Sequence, residues 1–221
     1  MFNPNEYLFS LADLLKIHFQ DRLRYIGLQG SYLRGEATEE SDIDIMVVID
    51  GFSPEDAICY RSVIESLECP EKSCGFICGT DDLLHWNPLE ICHLIHTTKD
   101  YLGCLQELVP YYTKADVVSF VKMNLGNLFH EICHRRIHAD MEQNVQALPF
   151  TCKGVFFILQ NLHFLRSGQF ITTKKALLSA LSGQDRAVLE RTLSLSNGAE
   201  YDFDSAFSLL FSWCQSTLAS L

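Results

Sequence analysis

Tyr25-Ile26-Gly27-Leu28-Gln29-Gly30-Ser31-Tyr32-Leu33-Arg34-Gly35 and, after residues 36–40, Ser41-Asp42-Ile43-Asp44-Ile45-Met46-Val47-Val48-Ile49 are the stretch on which the fold turns. Tyr25 to Gln29 is a short β-compatible run broken by Gly30-Ser31, and Ile43 to Ile49 is a second run rich in β-branched residues. Strand, polar loop and strand are therefore expected in that order. Asp42 and Asp44 stand two apart on the second predicted strand, so the two-residue period turns both carboxylates to one face with Cα atoms about 7 Å apart. Such a pair can hold one or two divalent ions. Its hard oxygens suit Mg²⁺, which commonly bridges one or two carboxylates to substrate phosphates. A glycine directly after a strand lets the backbone approach a phosphate chain, and the following N–H groups and the Ser31 hydroxyl can donate to its oxygens. Each half alone has a plainer reading: glycines that make turns, and aspartates that solvate one side of an edge strand. Both halves in order, within strand, loop and strand, read as a joined phosphate and metal site.

The string Gly30-Ser31-Tyr32-Leu33-Arg34-Gly35, then Ser41-Asp42-Ile43-Asp44-Ile45, resembles the signature of the polymerase-β-like nucleotidyltransferase superfamily: a Gly-Ser pair, a glycine, then Asp-x-Asp. The resemblance implies ATP or another nucleoside triphosphate bound over Gly30, Ser31 and Ser41. It also implies Mg²⁺ on Asp42 and Asp44, and transfer of a nucleoside monophosphate to a hydroxyl of a small acceptor. In layout the chain is most similar to the aminoglycoside nucleotidyltransferases, which places an aminoglycoside-like compound among the acceptors. Gly79-Thr80-Asp81-Asp82-Leu83-Leu84-His85-Trp86 resembles the turn after their third active-site strand. Leu165 to Ala176 resembles their helix, glycine and Ser/Thr-Lys pattern, by which Lys174 or Lys175 would reach the nucleotide phosphates; the plainer reading is a solvated first helical turn. Relatives often carry a third carboxylate on the next strand, as metal ligand or general base. Here the matching place falls on Cys74, and Cys74-Gly75-Phe76-Ile77-Cys78 contains no acid. Glu71 or Asp81 would fill it only if the register slips. A catalytically weak or inactive nucleotide-binding regulatory protein, antitoxin-like, is the alternative this departure favours.

Outward from this stretch, Leu8, Leu11, Leu15 and Phe19 recur at helical spacing and predict an amphipathic first helix. Ser53-Pro54-Glu55-Asp56 supplies an N-cap, a proline at the first helical position and acids in the first turn, so a helix should run to about Leu67. Cys74 to Cys78 has the length of a third, buried strand. Beyond Val109-Pro110 the pattern becomes helical: Val117, Val121, Leu125, Leu128 and Ile132, then Val155 to Leu165 ended by Gly168, then Phe203 to Leu218. The expected fold is an α/β mixed-sheet domain over residues 1–110, followed by an all-α helical bundle over 111–221.

Seventeen Lys and Arg against 28 Asp and Glu give a formal charge of −11, which argues against a nucleic-acid partner held by diffuse electrostatics. Nine cysteines, an odd number set in apolar segments, read as reduced core residues; with no leader-like N-terminus and no membrane-length apolar run, a cytoplasmic protein is expected. Cys74 and Cys78, four apart on a strand, would lie about 13 Å apart, too far to share an ion. His93 and His96 flank apolar residues and fit a helix packed on the sheet. A third functional reading comes from His130-Glu131-Ile132-Cys133-His134, the H-E-x-x-H arrangement in which two histidines bind Zn²⁺ and Glu131 is the base of a hydrolase. His138 adds an imidazole one turn on, but residue 140, where the extended motif has its third ligand, is Asp. Without zinc, Glu131 is left as a candidate substrate contact.

Overall fold

The computed structural model describes residues 2–221. The chain forms two compact units, one ending at Tyr111 and the other spanning Tyr112–Leu221. The first is a mixed four-stranded sheet with helices, and the second is helical.

In the first unit, Asn3 caps α1 (Pro4–Phe19) by accepting from the backbone N–H groups of Asn5 and Glu6, with Pro4 preset for the first turn. Tyr7, Leu8, Leu11, Ala12, Leu15 and Phe19 bury one face of this helix. The chain continues through β1 (Leu23–Leu28), α2 (Gly30–Arg34), β2 (Ile43–Ile49), α3 (Pro54–Glu65) and β3 (Ser73–Gly79). It then forms α4 (Thr80–Leu84), α5 (Pro88–His96) and β4 (Lys99–Leu102). The sheet order is β3-β2-β1-β4. β1 pairs antiparallel with β2 and β4, and β2 pairs parallel with β3 through the α3 crossover. Ser53 and Asp56 form the capping box that starts α3. Ile45 to Ile49 of β2 are each at most 1% exposed, as expected of a central strand covered on both faces. Each such side chain contributes roughly 2 kcal/mol by burial. Asp44 therefore interrupts an apolar run at a cost to the core.

Four local features differ from expectation. β3 is an edge strand, not a buried one: Cys74 and Gly75 are exposed and only Cys78 and Gly79 are buried. A short apolar run reads alike in either position, and β3 has a partner on one side only. β2 starts at Ile43, so Asp42 lies immediately before the strand. Part of the expected polar loop after β1 is the single turn of helix α2, closed by Gly35 in the left-handed region. β4 gave no strand signal because Lys99-Asp100-Tyr101-Leu102 has two charges and no β-branched residue. Pairing to β1 holds it, along with the Tyr25 hydroxyl, which donates to Asp100 Oδ1 at 2.6 Å.

The second unit contains α6 (Lys114–His138), α7 (Met141–Thr151), α8 (Val155–Ser167), α9 (Lys174–Ala180), α10 (Gly183–Ser196) and α11 (Phe203–Ser220). Thr113 with Asp116, Asp140, Thr173 and Asp202 cap four of these helices. Val117, Val121, Leu125, Leu128 and Ile132 form the buried stripe of α6. Trp213 of α11 is fully buried, and its indole N–H donates to Asp185 at 2.7 Å. No helix among the described residues is long and apolar enough to cross a membrane.

Candidate active site

β1 ends beside the middle of the sheet, and its last residues turn directly into α2. Gly30 takes φ +67°, and a Cβ placed there would lie 1.7 Å from Asp44 Oδ2. The glycine is thus required twice, by its backbone and by the carboxylate lying against it. The Gln29 N–H donates to the Asp44 carbonyl at 2.8 Å, and the Gln29 amide donates to Thr98 Oγ1 at 2.7 Å. Gly30, Ser31 and Asp44 are thereby held together at one end of the sheet. The Ser41 hydroxyl accepts from the Thr38 N–H at 2.9 Å and shapes the turn leading to Asp42. Asp42 is exposed and Asp44 half-buried.

The parallel β2–β3 register places Cys74 opposite Asp44, and neither Glu71 nor Asp81 takes that place. Next to it, Gly75 adopts φ +141°, and a Cβ there would meet the Ile45 carbonyl oxygen at 2.0 Å, so both backbone and space require glycine. The register sets the Cys74 thiol beside the Asp44 carboxylate. Partial desolvation first, and then the charge of Asp44, push this thiol above its ordinary pKa, so it is protonated at neutral pH. Cys74 supplies neither a charge nor a base.

Lys72 joins the site without a motif to mark it. Its ammonium donates to the Glu39 carbonyl at 2.6 Å and to the Ser41 carbonyl at 3.3 Å, and lies 5.6 Å from the Phe2 ring centroid. Phe2 packs against the Tyr32 ring on α2, with centroids 5.7 Å apart. Lys72 therefore ties the residues before Asp42 to the start of β3. The only sequence signal was a lysine directly ahead of that strand.

Lys174, Lys175 and Glu131 belong to the second unit. The two lysines open α9, with Lys174 half-buried and Lys175 exposed. Glu131 accepts a hydrogen bond from the Thr151 hydroxyl at 2.6 Å, within its own unit. His130, His134 and His138 lie exposed along α6. Among the described residues no three His, Cys, Asp or Glu side chains converge as a metal site. Two carboxylates beside a glycine-opened backbone do fit Mg²⁺ held partly by protein and partly by substrate phosphates. That donor set does not form a closed protein cage.

Residues 15–87 match the family model described as a nucleotidyltransferase domain. Two proteins of Methanocaldococcus jannaschii, provisionally named protein adenylyltransferases, match over short segments. One is 44% identical over 48 residues, covering 22% of this chain and 48% of the relative. The other is 51% identical over 47 residues, covering 21% and 47%. The chain thus spans about half the length of the curated relatives it matches. Among solved structures, a spectinomycin adenyltransferase of Enterococcus faecialis with ATP and spectinomycin superposes with a TM-score of 0.58. That alignment has 14% identity and covers 98% of this chain and 100% of the other, a likeness of fold.

Proposed function

With a nucleotidyltransferase domain at residues 15–87 as the premise, we propose that the chain transfers a nucleoside monophosphate from ATP, or another nucleoside triphosphate, to a hydroxyl of a small acceptor. The observation that carries the reading is the contact of Gly30 with Asp44, which joins a glycine-opened backbone to a carboxylate pair. Asp42 and Asp44 would hold Mg²⁺, which supplies charge neutralisation at the phosphates and polarises the bond that breaks. The Gly30 and Ser31 N–H groups and the Ser31 hydroxyl would donate to the phosphate oxygens and orient the chain for in-line displacement. Lys72 fixes the approach to Asp42 through the Glu39 and Ser41 carbonyls. Lys174 and Lys175 are proposed as further phosphate contacts and Glu131 as an acceptor contact; all three rest on layout.

The structural neighbour's co-crystallised ATP and spectinomycin support ATP as donor and an aminoglycoside-like acceptor. A second reading is favoured by Cys74: with a neutral thiol opposite Asp44, the site binds metal and nucleotide but turns over slowly, as in a regulatory protein. Titrating ATP with and without Mg²⁺ into wild type and Asp42→Asn tests the nucleotide reading. We expect metal-dependent binding that weakens by about ten- to a hundredfold in the variant. Metal-independent binding, or none, would sink it. Pyrophosphate release with hydroxylated acceptors separates the transferase from the slow binder.

A further inference from the structure

The motif at His130, His134 and His138 is left unused by the proposed transferase. The three imidazoles stand one helical turn apart on exposed positions of the 25-residue helix α6. Ring centroids are 5.8 Å apart for His130 and His134, and 4.8 Å apart for His134 and His138. When two imidazole nitrogens reach one ion at about 2.0–2.1 Å, their ring centroids come within about 4.5–5.2 Å for ordinary coordination angles. The His134 and His138 rings already meet that spacing, whereas the His130 and His134 rings exceed it.

The neighbouring groups leave these two rings available. Glu131 is engaged by Thr151, and Arg135 donates to the Gln143 carbonyl at 3.1 Å. Arg136 pairs with Asp204 at 2.8 Å and lies over the Phe203 and Phe207 rings. Asp140 caps α7 through the Gln143 N–H at 2.8 Å. No hydrogen bond or ion pair among the described residues occupies the His134 or His138 ring nitrogens. Nearby positive charges are thus drawn to other partners, and both imidazoles remain open as donors to a cation.

We infer that His134 and His138 form a chelating site for one first-row divalent ion of the Zn²⁺ class, completed by water. Imidazole selects Zn²⁺, Ni²⁺ and Cu²⁺ over Mg²⁺, so this site and the carboxylate pair of the first unit take different ions. Catalytic zinc sites use three protein ligands; a two-histidine site with open positions exchanges its ion and does not make this helix a hydrolase. Glu131, one position past His130 and bonded to Thr151, has no base role in it.

The test is calorimetric titration of Zn²⁺ into the full chain with excess Mg²⁺, in a Cys74→Ser background that removes the exposed thiol. One ion per chain is expected. Affinity should fall at least tenfold in His134→Gln and in His138→Gln, and less than threefold in His130→Gln. Unchanged affinity in the double variant His134→Gln/His138→Gln, or a loss confined to His130→Gln, overturns the site. An independent readout on the unaltered histidines is the ring resonances of the Cys74→Ser chain. Zn²⁺ should move those of His134 and His138 first, and movement of neither would reject the proposal.

Discussion

At the scale of single residues, the site is a set of exclusions as much as a set of donors. Gly30 lacks a Cβ because Asp44 occupies its space, and Gly75 lacks one because the Ile45 carbonyl does. Glycine, serine and two aspartates could be read from the sequence because their spacing carries a chemical meaning. Cys74 was located by likeness to related turns, and the strand register puts it opposite Asp44. The closeness of its thiol to Asp44 depends on a pairing that no local pattern specifies. Exchanging the thiol for a carboxylate makes this concrete. Cys74→Asp sets a third negative charge beside Asp42 and Asp44, so without metal the variant should melt below wild type through like-charge repulsion. Mg²⁺ should reverse that loss and bind about tenfold more tightly than in wild type, checked by thermal melts and metal titration.

At the scale of elements, caps and buried stripes were legible. Ser53 with Asp56 starts α3, and the apolar stripe of α6 runs where helical spacing puts it. What escaped is held by partners rather than by propensity. β4 exists through pairing with β1, and β3 is exposed because the sheet ends there. Lys72 belongs to this class: its ammonium joins the turn at Glu39 and Ser41 to the residue before β3. If it positions Asp42, removing its charge should loosen the metal site more than the fold. Lys72→Met is expected to weaken Mg²⁺-dependent ATP binding about tenfold, while the melting temperature moves little and Lys72→Arg restores most of the affinity. An equal loss of metal-free binding, or a collapse in melting temperature, would assign Lys72 a structural role instead.

At the scale of the whole molecule, the chain joins a mixed-sheet unit to a helical one, and the domain match covers residues 15–87 of the first. Its acid stability should be set in part by one histidine. Burial, then the charge of Arg34, then His96, lower the pKa of His93 to about 4. In the unfolded chain a histidine titrates near about 6.5. Between those values the unfolded state holds a proton that the folded state does not, so stability must fall as pH drops from about 6.5 toward 4. The loss is on the order of 3 kcal/mol at most. Urea unfolding at pH 7 and pH 4.5 should show a lower midpoint at pH 4.5, and His93→Gln should flatten that slope.

The exposed end of β3 has a practical consequence. Of the nine cysteines, Cys74 is the exposed one, and it stands against a proposed metal carboxylate. The chain therefore carries a native labelling handle at its candidate site, slow to react while the thiol is protonated and faster as pH is raised. An alkylating fluorophore would report occupancy there by its rate of attachment, without an engineered residue.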